Sequence, residues 1–148
     1  MKIALRRWFP LIGRLAIAII FLYAGYAKLR EPWPQFAIAI DSFKAVPESW
    51  LEPMARLLPW CEVALGIALL SGILARWFAL VATLLLSLFL AVGIRAYAEG
   101  LTVDCGCFGV GAGGRIDAAW FVEHGGMVAL ALAVATEYFL RTRRSGKR

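Results

Sequence analysis

The sequence predicts an all-α membrane protein, a four-transmembrane-helix bundle with a short interfacial helix between helices 1 and 2. Of its 148 residues, 61% are hydrophobic and only 18% are charged, whereas a soluble domain averages about 45–50% apolar residues. Four apolar stretches approach or exceed the roughly 20 residues that a helix needs to cross a bilayer. The residues left over are too few for a second folded domain of ordinary size. We therefore expect a single membrane domain over residues 1–148.

Each predicted span is an apolar run with few charges. The apolar run Trp8–Ala27 contains only Arg14, the run Leu57–Leu74 contains only Glu62, and the run Trp77–Ile94 has no charge before Arg95 closes it. The fourth includes several polar residues, but its stretch 125–136 is uncharged. The tryptophans and tyrosines near the span ends, Trp120 among them, are predicted interface anchors. The spans are expected at 8–29, 54–74, 77–98 and 118–140, with a loop at 99–117.

A shorter amphipathic segment lies between the first two spans. Phe36, Ile40 and Phe43 recur at positions i, i+4 and i+7, which places them on one face of a helix. Pro32 and Pro47 limit the length of this helix, because proline cannot continue a helix from within. The segment is too short to cross the membrane, so we expect it to lie at the interface.

The distribution of Lys and Arg predicts the orientation of the bundle. The net charge is +6 at pH 7, and the basic residues gather beside the apolar runs, which favours contact with anionic lipid over nucleic acid. Nine Lys and Arg fall on the side of the two termini and six on the other side. By the positive-inside rule, both termini are cytoplasmic and both longer loops are outside. The expected location is the bacterial inner membrane.

The outer loop contains two cysteines separated by one glycine, Cys105-Gly106-Cys107. A disulfide between them would close a small ring, which a flexible glycine makes easier to form. A strained, exposed disulfide belongs to the labile, exchanging class, and disulfides persist outside the cytoplasm. Asp104 beside Cys105 would oppose thiolate formation, whereas a nearby cation would favour it. The pair is therefore a candidate catalytic dithiol.

Other interpretations of these cysteines remain open. Cys105 and Cys107 could form a static loop clip, or stay unpaired and pack beneath the loop. Together with His124 or Cys61 they could hold a soft metal ion, although structural zinc sites usually use C-x2-C spacing. Cys61 is a candidate third thiol, but a lone cysteine in a span more often packs as a small hydrophobe.

Ionisable residues inside spans usually have a functional or a paired role. Lys28, Glu62, Arg95, Glu123 and His124 all fall near the outer ends of their spans. They would form a polar chamber at the outer mouth of the bundle, beneath the cysteine loop. The chamber would serve proton or substrate handling, or its charges would form a buried ion-pair network that fixes helix register. His124, the sole histidine, is either a proton-transfer group or a packed, hydrogen-bonded residue.

Three ordered segments resemble the DoxX-like membrane proteins, and in particular their methylamine-utilisation MauE branch. These segments are Phe21–Leu29 at the end of the first span, Leu58–Glu62 in the second, and Asp104–Gly109 in the cysteine loop. The resemblance covers roughly residues 21–109. Cys61 and the Glu123-His124 pair depart from the pattern.

The resemblance implies a four-helix inner-membrane protein engaged in thiol-disulfide or electron-transfer work, often beside an extracytoplasmic thioredoxin-like protein. Cys105 and Cys107 would be the redox pair, with Lys28, Glu62 and Arg95 as polar support. The leading hypothesis is a thiol-disulfide redox protein that passes electrons or disulfides to a thioredoxin-like or cysteine-rich partner.

Two rival functions come from other classes of protein. One is a noncatalytic anchoring or accessory subunit, which would contact other membrane subunits as well as lipid. The other is a metal or small-molecule carrier. For the redox function, a quinone held in the bundle or another membrane protein is a candidate source of electrons. No residue pattern typical of a quinone site is present, so the sequence leaves the cofactor open.

Overall fold

The computed structural model describes residues 2–106 and 114–145, and within them every regular element is helical. The all-α prediction is therefore confirmed. The five helices are α1 (Lys2–Leu29), α2 (Trp33–Ser42), α3 (Glu48–Ser71), α4 (Ala75–Ala98) and α5 (Ala118–Ser145).

Four of these helices are long and apolar enough to cross a membrane. The candidate spans are Trp8–Leu29, Glu48–Ser71, Ala75–Ala98 and Ala118–Arg143. The helix α3 begins at Glu48 rather than at residue 54, the predicted start of the second span. A hydropathy profile misses this first turn because it is polar. Pro47 precedes the helix, and Glu48 in the first turn interacts favourably with the positive end of the helix dipole.

The short helix α2 lies at the end of the bundle where α1 ends and α3 begins. Pro32 precedes it and Pro34 occupies its first turn, where a missing N–H group has no cost. Its contacts are mainly with α3, and Phe36 is its buried residue. The predicted short helix between the first two spans is thus confirmed, and it covers one end of the bundle.

The most extensive helix pair is α1 with α3, and small residues allow the two backbones to approach closely. A Cβ atom on Gly66 would lie 2.7 Å from Leu22 Cγ and 3.0 Å from the Ala18 carbonyl oxygen. Any side chain at Gly66 would therefore push the helices apart.

The main core fills the middle of the bundle with residues from all four long helices. Ile17 and Phe21 from α1 meet Leu69 from α3, and the small Ala131 and Ala135 bring α5 close. Large apolar side chains also cover the outside of the bundle, among them Ile12, Leu84 and Val122, which are 62%, 62% and 77% exposed. Such a surface is typical of a protein surrounded by lipid.

Candidate functional site

Two short segments position Cys105 by pairing with each other. The backbone N–H of Cys105 donates to the Gly114 carbonyl at 3.1 Å, and Ile116 N–H donates to the Val103 carbonyl at 3.4 Å. Asp104 and Arg115 form an isolated antiparallel bridge between these two bonds. The cysteine is therefore fixed by backbone hydrogen bonds at the point where α4 leads towards α5.

A second apolar cluster surrounds this point. It consists of Ala96, Val103, Cys105, Ile116 and Trp120. Cys105 is only 7% exposed and its sulfur is in a disulfide bond. The sequence-predicted redox partner, Cys107, lies outside the described residues.

Trp120 forms one wall of this cluster at the first turn of α5. Its backbone N–H donates to the Asp117 carboxylate at 2.9 Å, a side-chain cap that fixes the start of the helix. The indole ring lies against Gly93, where an added Cβ would overlap the ring. Trp120 is only 4% exposed, so the prediction that it anchors the chain at the membrane interface is wrong.

His124 contacts the sulfur of Cys105 from the next turn of α5. Its Nε2 atom lies 3.7 Å from Cys105 Sγ, and its ring stacks on the indole of Trp120 with a centroid separation of 4.0 Å. The Nδ1 atom lies 3.1 Å from the Trp120 carbonyl oxygen. Because a carbonyl oxygen can only accept, Nδ1 carries the proton and donates. A neutral ring then presents the Nε2 lone pair to the sulfur.

Lys28 and Glu62 form an ion pair between α1 and α3. The Lys28 ammonium lies 2.7 Å from both carboxylate oxygens of Glu62, and the two side chains are 2% and 1% exposed. The rings of Phe36 and Phe89 flank the ammonium at 5.5 and 5.9 Å from their centroids. Sequence spacing placed both charges at one level of the bundle, and the fold brings them into direct contact.

The structure leaves the other predicted polar residues outside this buried group. Arg95 is 53% exposed, pairs with Glu99 at 2.8 Å and donates to the Lys44 carbonyl at 3.5 Å. Asp104 and Glu123 are exposed. Their exposure separates these side chains from the buried pair of Lys28 and Glu62.

The candidate third thiol, Cys61, is a free and exposed cysteine. It precedes the buried Glu62 on α3, so the two side chains point to different sides of the helix. Across residues 2–106 and 114–145, no group of three His, Cys, Asp or Glu side chains is placed to hold a metal ion.

A cavity of about 210 Å³ connects the ion pair with the disulfide. Lys28, Cys105 and Trp120 all line it. Its remaining walls are mostly apolar and come from α2, α3 and α4, including Phe36, Ala39, Phe43, Leu58, Phe89 and Val92. Sequence reasoning predicted a chamber beneath the cysteine loop, but gave it polar walls, whereas the walls of this cavity are mostly apolar. The apolar face predicted for residues 36–43 was the available signal, because the apolar face of an amphipathic helix packs over other apolar groups.

The comparisons with known proteins identify the family. A family model described as "Methylamine utilisation protein MauE" matches residues 6–137. The chain belongs to the MauE family. This match extends through most of α5, beyond the segments on which the sequence resemblance rested. The wider DoxX-like grouping stays a prediction.

Several relatives are named methylamine utilization protein MauE. The one from Paracoccus denitrificans is 32% identical over 124 residues, which is 83% of this chain and 66% of that protein. The one from Methylophilus methylotrophus is 33% identical over 98 residues, 66% of this chain and 51% of that protein. The chain thus spans between half and two thirds of the MauE relatives it matches.

A further relative is protein TlpB from Flavobacterium psychrophilum, which is 34% identical over 111 residues, 69% of this chain and 30% of that protein. No solved structure matches this chain. Together, the four apolar helices and the MauE membership describe a multi-pass bacterial membrane protein.

Proposed function

We propose that this MauE-family protein is a thiol-disulfide redox protein of the bacterial inner membrane that exchanges with an extracytoplasmic protein through Cys105 and Cys107. The observation that carries the proposal is the disulfide at Cys105, which is buried against the basic nitrogen of His124. A sulfur held beside a base at the end of a membrane bundle is suited to thiol exchange.

The exchange proceeds through a mixed disulfide. Cys105 is too buried for a folded partner to reach, so a partner thiolate attacks the sulfur of Cys107. The bond between the two cysteines breaks, a bond between the partner and Cys107 forms, and Cys105 leaves as a thiolate. A second partner thiolate then attacks the mixed disulfide. The partner gains a disulfide and this protein is left with two thiols, so two electrons have passed from the partner to this protein.

His124 holds the proton that this cycle requires. When Cys105 is a thiol, the Nε2 lone pair at 3.7 Å is placed to accept its proton, and an imidazolium at that distance stabilises the thiolate. The hydrogen bond from Nδ1 to the Trp120 carbonyl keeps Nε2 directed at the sulfur. The buried pair of Lys28 and Glu62 fixes α1 against α3 beneath the site.

The proposed side of the membrane follows from the positive-inside count, which puts the cysteine loop outside the cytoplasm. In that compartment, a thioredoxin-like or cysteine-rich protein is the class of partner that would present a pair of thiols or a disulfide.

Trapping of the mixed disulfide tests the proposal. In the Cys105→Ser variant, Cys107 is left as a free thiol that attacks the disulfide of an oxidised partner, which is the reverse of the exchange above. The sulfur that would release this mixed disulfide is missing, so we expect a disulfide-linked partner to accumulate in cells, detected on nonreducing gels and released by reductant. The matched control is Cys61→Ser, which removes the exposed free thiol and should leave exchange unchanged.

Loss of trapping decides against the proposal. If Cys105→Ser and Cys107→Ser both fail to capture any protein, and both support full function in cells, thiol exchange is not the role of this chain. A noncatalytic accessory subunit would then be the better interpretation.

A further inference from the structure

We infer that the cavity beside Cys105 binds a membrane quinone, which re-oxidises the cysteine pair after each exchange. This inference rests on the proposed function and adds the electron acceptor. The size of the cavity, its polar residues and its contact with Cys105 support this inference.

The cavity has the size and lining that suit an apolar ring. A dry apolar cavity of about 150 Å³ is enough to hold benzene, and this one has a volume of about 210 Å³. Its walls include the aromatic rings of Phe36, Phe43 and Phe89. A substituted benzoquinone ring therefore fits, and its isoprenoid tail would extend into the surrounding lipid.

Two of the residues that line the cavity, Lys28 and Trp120, carry hydrogen-bond donors, the groups that a quinone carbonyl oxygen requires. An ammonium group has three N–H donors, and Glu62 accepts two from Lys28, which leaves one. The indole Nε1–H of Trp120 is buried and has no partner among the described residues. A buried donor without an acceptor is destabilising, so a ligand oxygen that bonded to it would recover the lost free energy. A phospholipid acyl chain would supply no such acceptor.

The cavity also places the ligand against the redox centre, since Cys105 forms part of its wall. In the proposed reaction the reduced pair loses two electrons and two protons, and its sulfur–sulfur bond re-forms. The quinone accepts both electrons and both protons on its two oxygens and leaves as the quinol. The donors of Lys28 and Trp120 would stabilise the negative charge that develops on those oxygens.

The experiment uses the full chain in detergent micelles under anaerobic conditions. The protein is reduced with dithiothreitol, freed of reductant and mixed with decylubiquinone. Absorbance reports quinol, and alkylation followed by mass spectrometry reports the remaining thiols of Cys105. We expect one quinol per re-formed disulfide.

Two variants on adjacent positions of α2 test the location. Ala39→Phe places a ring in the cavity and should slow quinone reduction at least about tenfold. The control is Ile38→Phe, because Ile38 is 71% exposed and does not line the cavity, so its rate should match the native protein.

Trp120→Phe keeps an aromatic ring but loses the N–H, and should raise the quinone concentration for half-maximal rate about fivefold or more.

The outcomes separate this inference from the proposed function. A single-turnover reaction of the oxidised native protein with a synthetic two-cysteine peptide, without quinone, measures thiol exchange alone. If the peptide is oxidised but decylubiquinone never re-oxidises the protein, or reacts equally fast with Ala39→Phe, the quinone site is overturned and the exchange function stands. If the peptide is not oxidised, the proposed function itself fails.

Discussion

The buried pair of Lys28 and Glu62 gives the sharpest test of how this bundle is held together. The change is Glu62→Gln, which keeps the shape of the side chain and removes its charge. One ammonium now contacts both carboxylate oxygens at 2.7 Å, and less than 3% of either side chain is exposed. The substitution therefore leaves a cation buried without a counter-charge.

The expected loss is about 3–5 kcal/mol of unfolding free energy, the range for removing one partner of a buried ion pair. The matched control is Glu99→Gln, which breaks the pair with Arg95 at 2.8 Å, where the side chains are 44% and 53% exposed. An exposed pair contributes about 0–1 kcal/mol. Replacing both buried charges, in Lys28→Met/Glu62→Met, should cost less than either single change, because no unpaired charge remains.

Reversible unfolding in mixed micelles, followed by tryptophan fluorescence, measures these free energies. The reasoning is refuted if Glu62→Gln destabilises the protein no more than Glu99→Gln does, or if the double variant loses the sum of the two single losses. Either result would mean that the ion pair is hydrated and contributes little to packing.

Two further predictions concern α5 and its neighbours. His124→Phe keeps the stack on Trp120 but removes Nε2, so alkylation of reduced Cys105 near neutral pH should slow about tenfold or more, as measured by mass spectrometry; an unchanged rate would exclude His124 as the base. Gly93→Ala should destabilise the bundle by about 1–3 kcal/mol, because its Cβ would overlap the Trp120 ring. Gly125→Ala has open space and should be neutral or stabilising by up to about 1 kcal/mol; equal losses in these two glycine variants, by the same unfolding assay, would contradict the packing argument.

The helices could be predicted largely from the sequence, because membrane spans depend on length and hydropathy. The apolar spacing of Phe36, Ile40 and Phe43 likewise predicted α2 as a separate short helix. The start of α3 could not be found in this way. Its first turn, beginning at Glu48, is polar and is defined by the backbone of Pro47 instead of by apolar residues.

The candidate site was only partly accessible from the sequence. Charge within an apolar span singled out Lys28 and Glu62, which do pair. The same criterion also selected Arg95, which is exposed and pairs with Glu99 just beyond the end of α4. Depth along a span does not reveal the face of the helix on which a residue lies. Trp120 was assigned to the membrane interface for its residue type, yet it packs against Gly93 inside the bundle.

By itself, the sequence determined that this chain forms apolar helices, that a cysteine pair follows the third span, and that a few charges must find partners within the bundle. These properties are local, since they depend on the composition of short stretches. Only the tertiary structure decided that His124 faces the sulfur of Cys105, and that a cavity joins this sulfur to Lys28. The rotation of each helix about its axis decides those contacts, and that rotation is set by how side chains from all the helices pack together.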